Sequence, residues 1–108
     1  MGLDQYAFAK KGEQRIELAY WRKHANLHGW MEDLYAHRGG KKEFNCIELP
    51  LDNDDLDVLE ENYKNLATVA GFFWGTSHPE DDDNTITFIQ KARGYIKDGY
   101  EIVYDSWW

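Results

Sequence analysis

The chain predicts an α+β fold, with three helices packed on a small, mostly antiparallel sheet of four or five strands in the order β-β-α-β-α-(β)-α-β. Three observations predict it. Residues 3–21 alternate around a glycine turn, three later segments carry apolar residues at helical spacing, and residues 100–107 alternate again. With 108 residues, no internal repeat and no shift in composition, the chain reads as a single α+β domain over 1–108.

Leu3 to Lys10 is the first strand, with Asp4, Tyr6 and Phe8 on one face. Lys10-Lys11-Gly12-Glu13 is the turn, because Gly12 takes positive φ without steric cost. Arg15 to Trp21 returns as the second strand, with Ile16, Leu18 and Tyr20 against Glu17, Ala19 and Trp21. From about Lys23 to His37 the period changes: Leu27, Trp30, Met31 and Leu34 form one helical stripe, and Gly39-Gly40 ends it. Phe44 to Leu49 is a short strand that Pro50 closes.

The second helix carries Leu56, Leu59, Tyr63, Leu66 and Ala70, with Asp52 as N-cap and Asp54, Asp55 and Asp57 at the end where the helix dipole favours negative charge. Phe72-Phe73-Trp74 reads as a brief strand before Gly75, and Thr76 to Asp83 as a polar loop. The third helix starts near Asp83 or Asn84, carries Ile86, Phe88, Ile89, Ala92, Tyr95 and Ile96, and stops at Gly99. Tyr100 to Trp107 closes the chain as a strand.

Composition bounds the function. Aromatics make up 16% of the chain, enough for a compact core and against disorder. The net charge of −8 repels phosphate backbones, which disfavours nucleic-acid binding. One cysteine, Cys46, rules out an internal disulfide framework and fits a reducing, cytoplasmic compartment. No apolar run reaches the ~20 residues of a membrane span, and the amino terminus has neither a signal-peptide pattern nor the Ser/Thr of a myristoylation signal.

Chemistry-bearing residues are densest between Tyr20 and Trp30. His24 and His28 stand four apart, the spacing of a metal-binding pair, but the chain has no His-Glu-x-x-His motif or second cysteine, so no metal site and no cofactor are expected. The acid run from Asp52 to Asp57 fails as a calcium loop, with Leu56 and Asp57 where that loop requires an oxygen ligand and a glycine. Glycine-rich phosphate loops are absent from the sequence.

The motifs Met1-Gly2-Leu3-Asp4, Tyr20-Trp21-Arg22-Lys23, Leu27-His28-Gly29-Trp30, Asn45-Cys46, Phe72-Phe73-Trp74-Gly75 and Tyr104-Asp105-Ser106-Trp107 carry a resemblance. The chain resembles a group of small proteins encoded by bacteriophages and found also in bacterial genomes. It departs from the group at Trp74, Asp105 and His24. No established activity comes with the resemblance. Some members bear the label phosphoglycerate kinase, for which this chain is too short and lacks nucleotide-binding features. The resemblance implies a phage-derived protein working in the host cytoplasm.

The resulting expectation leans away from an enzyme, with no catalytic residue assigned. It is an intracellular accessory protein that binds an unknown protein or small ligand through Tyr20, Trp21, Arg22, Lys23, Asn26, His28, Trp30, Asn45, Cys46 and Trp107. The alternatives are a small enzyme using His28 with Arg22 and Cys46, or an acidic inhibitor that imitates nucleic acid. Oligomeric state is not legible from the sequence.

Overall fold

Gly12, at φ +59, turns the chain between strands β1 (Asp4–Lys11) and β2 (Gln14–Arg22). In the computed structural model, which describes residues 2–68 and 77–108, the hairpin is followed by α1 (Ala25–His37), β3 (Leu49–Leu51), α2 (Asn53–Asn62), α3 (Asp81–Lys97) and β4 (Glu101–Trp107). Among the described residues, three helices thus pack on a four-stranded antiparallel sheet of order β2-β1-β4-β3. The expected strand at Phe72-Phe73-Trp74 and the start of the polar loop at Thr76 lie outside the described residues. Among the described residues no helix is long and apolar enough to cross a membrane.

A bulge sets the faces of the sheet. Ala7 pairs with Ala19 but Phe8 pairs with Glu17, so Leu18 is an extra residue in β2. The uninterrupted alternation expected over residues 15–21 therefore fails. The one-residue slip brings Ile16, Ala19 and Trp21 to the same side, opposite Ala9, Ala7 and Gln5.

The inward face is thus Gln5, Ala7 and Ala9 on β1, flanked by Trp21 and Ala19 on β2 and by Ser106, Tyr104 and Ile102 on β4. The alanines leave room for α3, which lays Phe88, Ile89 and Ala92 against the sheet. α1 adds Leu27, His28 and Met31, and α2 adds Leu56 and Leu59.

Several boundaries differ from the periodicity. The third strand is not Phe44 to Leu49; it is Leu49–Leu51, with Pro50 inside it. Phe44 turns into the core, stacked between Tyr35 and Tyr104, and Cys46 takes a left-handed φ of 58 that breaks any extended run. Pro50 is tolerated because β3 is an edge strand, where a missing N–H leaves no ladder bond unmade.

α2 ends at Asn62, short of the expected Leu66; there the Asn62 amide donates to the Val58 carbonyl and the chain turns, and the expected Ala70 lies outside the described residues. Its N-terminus is as expected, since Asp52 and Asp55 form a reciprocal capping box. α3 begins at Asp81, two residues early, because the His78 N–H is held by the Asp81 carboxylate.

The opposite face of the sheet has no helix on it among the described residues. Its pairing rows read Arg22–Asp4–Trp107, Tyr20–Tyr6–Asp105 and Glu17–Phe8–Val103–Pro50.

Candidate functional site

The expected cluster does not converge on one cavity; the fold distributes it over three places. Trp21 and His28 are core residues. Trp21 donates its indole N–H to Thr85 Oγ1 at 3.1 Å and meets Phe88 edge-on. His28 is wholly buried, stacked on Phe44, with Nδ1 at 2.9 Å from the Tyr104 hydroxyl. Trp30 is half-buried against the same core.

Arg22 and Lys23 are exposed and do not belong to the first turn of a helix, as the sequence suggested. Arg22 ends β2, and Lys23 takes a left-handed φ of 58 with its N–H on the Leu3 carbonyl. A Cys46–His28 pair is not formed. The thiol is exposed on the outer side beside Asn45, while the imidazole faces inward. His24 precedes the helix and bonds to Ser77, so the two histidines do not share a ligand position. Among the described residues no group of three His, Cys, Asp or Glu is placed to hold a metal.

The interior polar groups form a chain. Gln5 donates to the His24 carbonyl at 3.1 Å and to the Tyr104 hydroxyl at 3.0 Å, and its oxygen accepts the His24 N–H at 2.8 Å. With its oxygen accepting from Gln5, the Tyr104 hydroxyl donates to His28 Nδ1. Burial lowers the His28 pKa to about 4 and raises that of Tyr104, so both are neutral near pH 7. This is structural polarity, sealed in the interior.

The outward sheet face is different. Trp107 is 64% exposed and stands between two shallow clefts. One, of about 240 Å³, is lined by Tyr6, Phe8, Cys46, Asp105, Ser106 and Trp107. The other, of about 250 Å³, is lined by Gly2, Asp4, Trp107 and Trp108. Asn45 anchors this end of the sheet: its amide donates to the Trp108 carbonyl at 2.9 Å and its oxygen accepts the Trp108 N–H at 3.0 Å.

Tyr6 lies 5.9 Å from Phe8 and 5.1 Å from Tyr20, centroid to centroid, and Tyr20 donates to Asp4 at 2.6 Å. That bond raises the Tyr20 pKa. Burial chiefly raises the Asp105 pKa. Arg15 lies over Phe8 and pairs with Glu48 and Asp105, closing the far half of this face and leaving the Trp107 half open.

Of the expected residues, Tyr20, Arg22, Cys46 and Trp107 belong to this outward side, and Asn45 supports it. The sequence pattern did not mark Tyr6, Phe8, Asp4 or Asp105 as site residues. The alternation of β1 and β4 was the signal that could have found them, since it puts them on one face.

A third place lies beside the start of α1, where Asn26 borders a cleft of about 290 Å³ together with His24, Ser77, His78, Asp82 and Lys64. Comparison of the chain with protein-family models, with curated proteins and with solved structures gives no match.

Proposed function

We propose that the chain is a small accessory protein whose outward sheet face docks an extended segment of a basic partner protein, with Trp107 as the anchor. One observation carries this reading: the largely exposed Trp107 divides two clefts on a face that no helix among the described residues covers. Large exposed aromatics bordered by carboxylates are a common anchor for recognition, and successive shallow clefts suit alternate side chains of an extended peptide.

Charge selects the partner. Asp4 and Asp105 border the clefts, and the net charge of −8 repels both nucleic acid and a second copy of this chain while attracting a basic polypeptide. The resemblance to phage-encoded proteins supports the bacterial cytoplasm as the place of action. The acidic-decoy alternative draws less support, because acids of α2 are already paired: Asp55 with Arg38, and Asp57 and Glu60 with Arg93.

Selection from a displayed library of extended peptides tests the proposal. Enriched sequences are expected to carry Lys or Arg among alternating apolar residues and to lose binding to Trp107→Ala. Acidic sequences, or equal binding to the variant, would refute it.

A further inference from the structure

We infer that Ser77 is a reactive nucleophile with His24 as its general base, able to accept an acyl group from a small ester in the cleft beside α1. This site is separate from the outward sheet face, and neither reading depends on the other.

The geometry has the parts such chemistry uses. Ser77 Oγ lies 2.6 Å from His24 Nδ1, within the reach of a nucleophile–base pair. The Asn26 backbone N–H donates to the same oxygen at 3.0 Å. In the tautomer whose Nδ1 carries no proton, the serine hydroxyl donates to the imidazole. Asn26 is the second residue of a 13-residue helix, so Oγ also sits at the end where the helix dipole favours negative charge.

His24 is buried, and desolvation lowers its pKa, which favours the neutral form with a free ring nitrogen. The groups facing it are the carboxylates of Asp81, 3.7 Å from Nδ1, and Asp82, both at the start of α3; they favour the imidazolium once it forms. Tyr63, Lys64 and His78 complete the charged and titratable lining of the cleft.

A second observation points the same way. Among the described residues, His24 Nε2 is buried with no hydrogen-bond partner. Folded proteins rarely strand such a group for purely structural reasons, because a buried polar atom left unmade costs stability. A serine that only capped α1 would not require a buried imidazole at its side.

The step balances without a further reactant. Ser77 Oγ attacks the ester carbonyl carbon, its proton passes to His24 Nδ1, and the new Oγ–C bond forms as the C–O bond to the alcohol breaks. The imidazolium returns the proton to the leaving alkoxide. Water then attacks the acyl-serine with His24 again as base, releasing the carboxylic acid and restoring both groups. A cleft of about 290 Å³ admits only a small acyl ester.

The test is p-nitrophenyl acetate hydrolysis by the full chain, with peptide mass mapping after acid quench. Acetylation is expected at Ser77, and Ser77→Ala should fall to the uncatalysed background. His24→Asn should slow acylation by about 10²-fold or more, the usual contribution of a general base. Should that variant fail to fold, the pH profile of the native chain substitutes for it, rising with deprotonation of one group whose pKa lies below that of an ordinary histidine. Label confined to lysines, or a Ser77→Ala rate equal to the native one, overturns the proposal.

Discussion

The Tyr104 hydroxyl and His28 Nδ1 meet at 2.9 Å in the interior, across 76 residues of sequence. Tyr104 comes from the strand beside β1 and His28 from the helix that follows the hairpin. The bond fastens α1 to the sheet. Tyr104→Phe keeps the ring but strips the hydroxyl from both His28 and the Gln5 amide. The expected loss is about 1–3 kcal/mol, the cost of leaving buried polar groups unmade, read from urea unfolding.

The same pair sets a pH dependence. The His28 pKa is about 4 folded against 6.5 for an ordinary histidine, so the unfolded chain binds the proton more readily. Stability from this group is fully present above about pH 6.5 and falls as pH drops toward 4. A shift of that size corresponds to about 3 kcal/mol at the acid end. Burial lowers the His24 pKa too, with Asp81 and Asp82 opposing, so it adds in the same direction. Urea midpoints at pH 7 and pH 4.5 should differ in the native chain, and His28→Gln should reduce the difference.

Two tryptophans serve as mutual controls. Trp21 is 1% exposed and bonded to Thr85, so Trp21→Ala should cost about 3–5 kcal/mol. Trp107→Ala at the open face should stay within about 0.5 kcal/mol. Thermal melts followed by circular dichroism distinguish them, and a large loss at Trp107 would reassign that residue to the core.

Two glycines should respond oppositely to alanine. A methyl at Gly94, in the exposed part of α3, meets nothing within 4 Å, so Gly94→Ala should add up to about 1 kcal/mol from helix propensity. A methyl at Gly40 overlaps the Tyr35 ring, which stacks on Phe44. Gly40→Ala should therefore destabilise by about 1–3 kcal/mol as the ring is displaced. Paired chemical-denaturation curves give both signs.

Lys23 joins the hairpin to α1 in a left-handed conformation that a side chain tolerates poorly. Lys23→Gly removes strain of about 1–2 kcal/mol and adds back about 0.5–1 kcal/mol of unfolded-chain freedom. A net gain of roughly 0.5–1 kcal/mol is expected, with the Lys23 N–H to Leu3 bond retained. Calorimetric unfolding measures it.

What the sequence made legible was local. Gly12 placed the hairpin, the stripe through Phe88, Ile89 and Ala92 placed α3, and Asp52 placed the start of α2, because each depends on residues within a turn or two. What it concealed was set by contacts between distant segments. The Leu18 bulge reverses the faces of β2 relative to simple alternation, and only pairing with β1 determines it. His24 finds Ser77 across 53 residues and His28 finds Tyr104 across 76, so neither could be read as a motif. The dense run from Tyr20 to Trp30 looked like one site because strand, left-handed turn and helix follow without a break; that succession sends neighbouring side chains in different directions.

The Leu18 bulge and Pro50 also mark the two flanks of the sheet. Among the described residues β2 and β3 are the outermost strands, and an unguarded outer strand offers its backbone to any other chain. On one flank the extra residue interrupts a flat row of donors and acceptors; on the other a three-residue strand has an imino acid at its centre. Strand-to-strand polymerisation is thereby hindered at both margins, and an aromatic-rich surface can stay open to solvent without seeding fibrils.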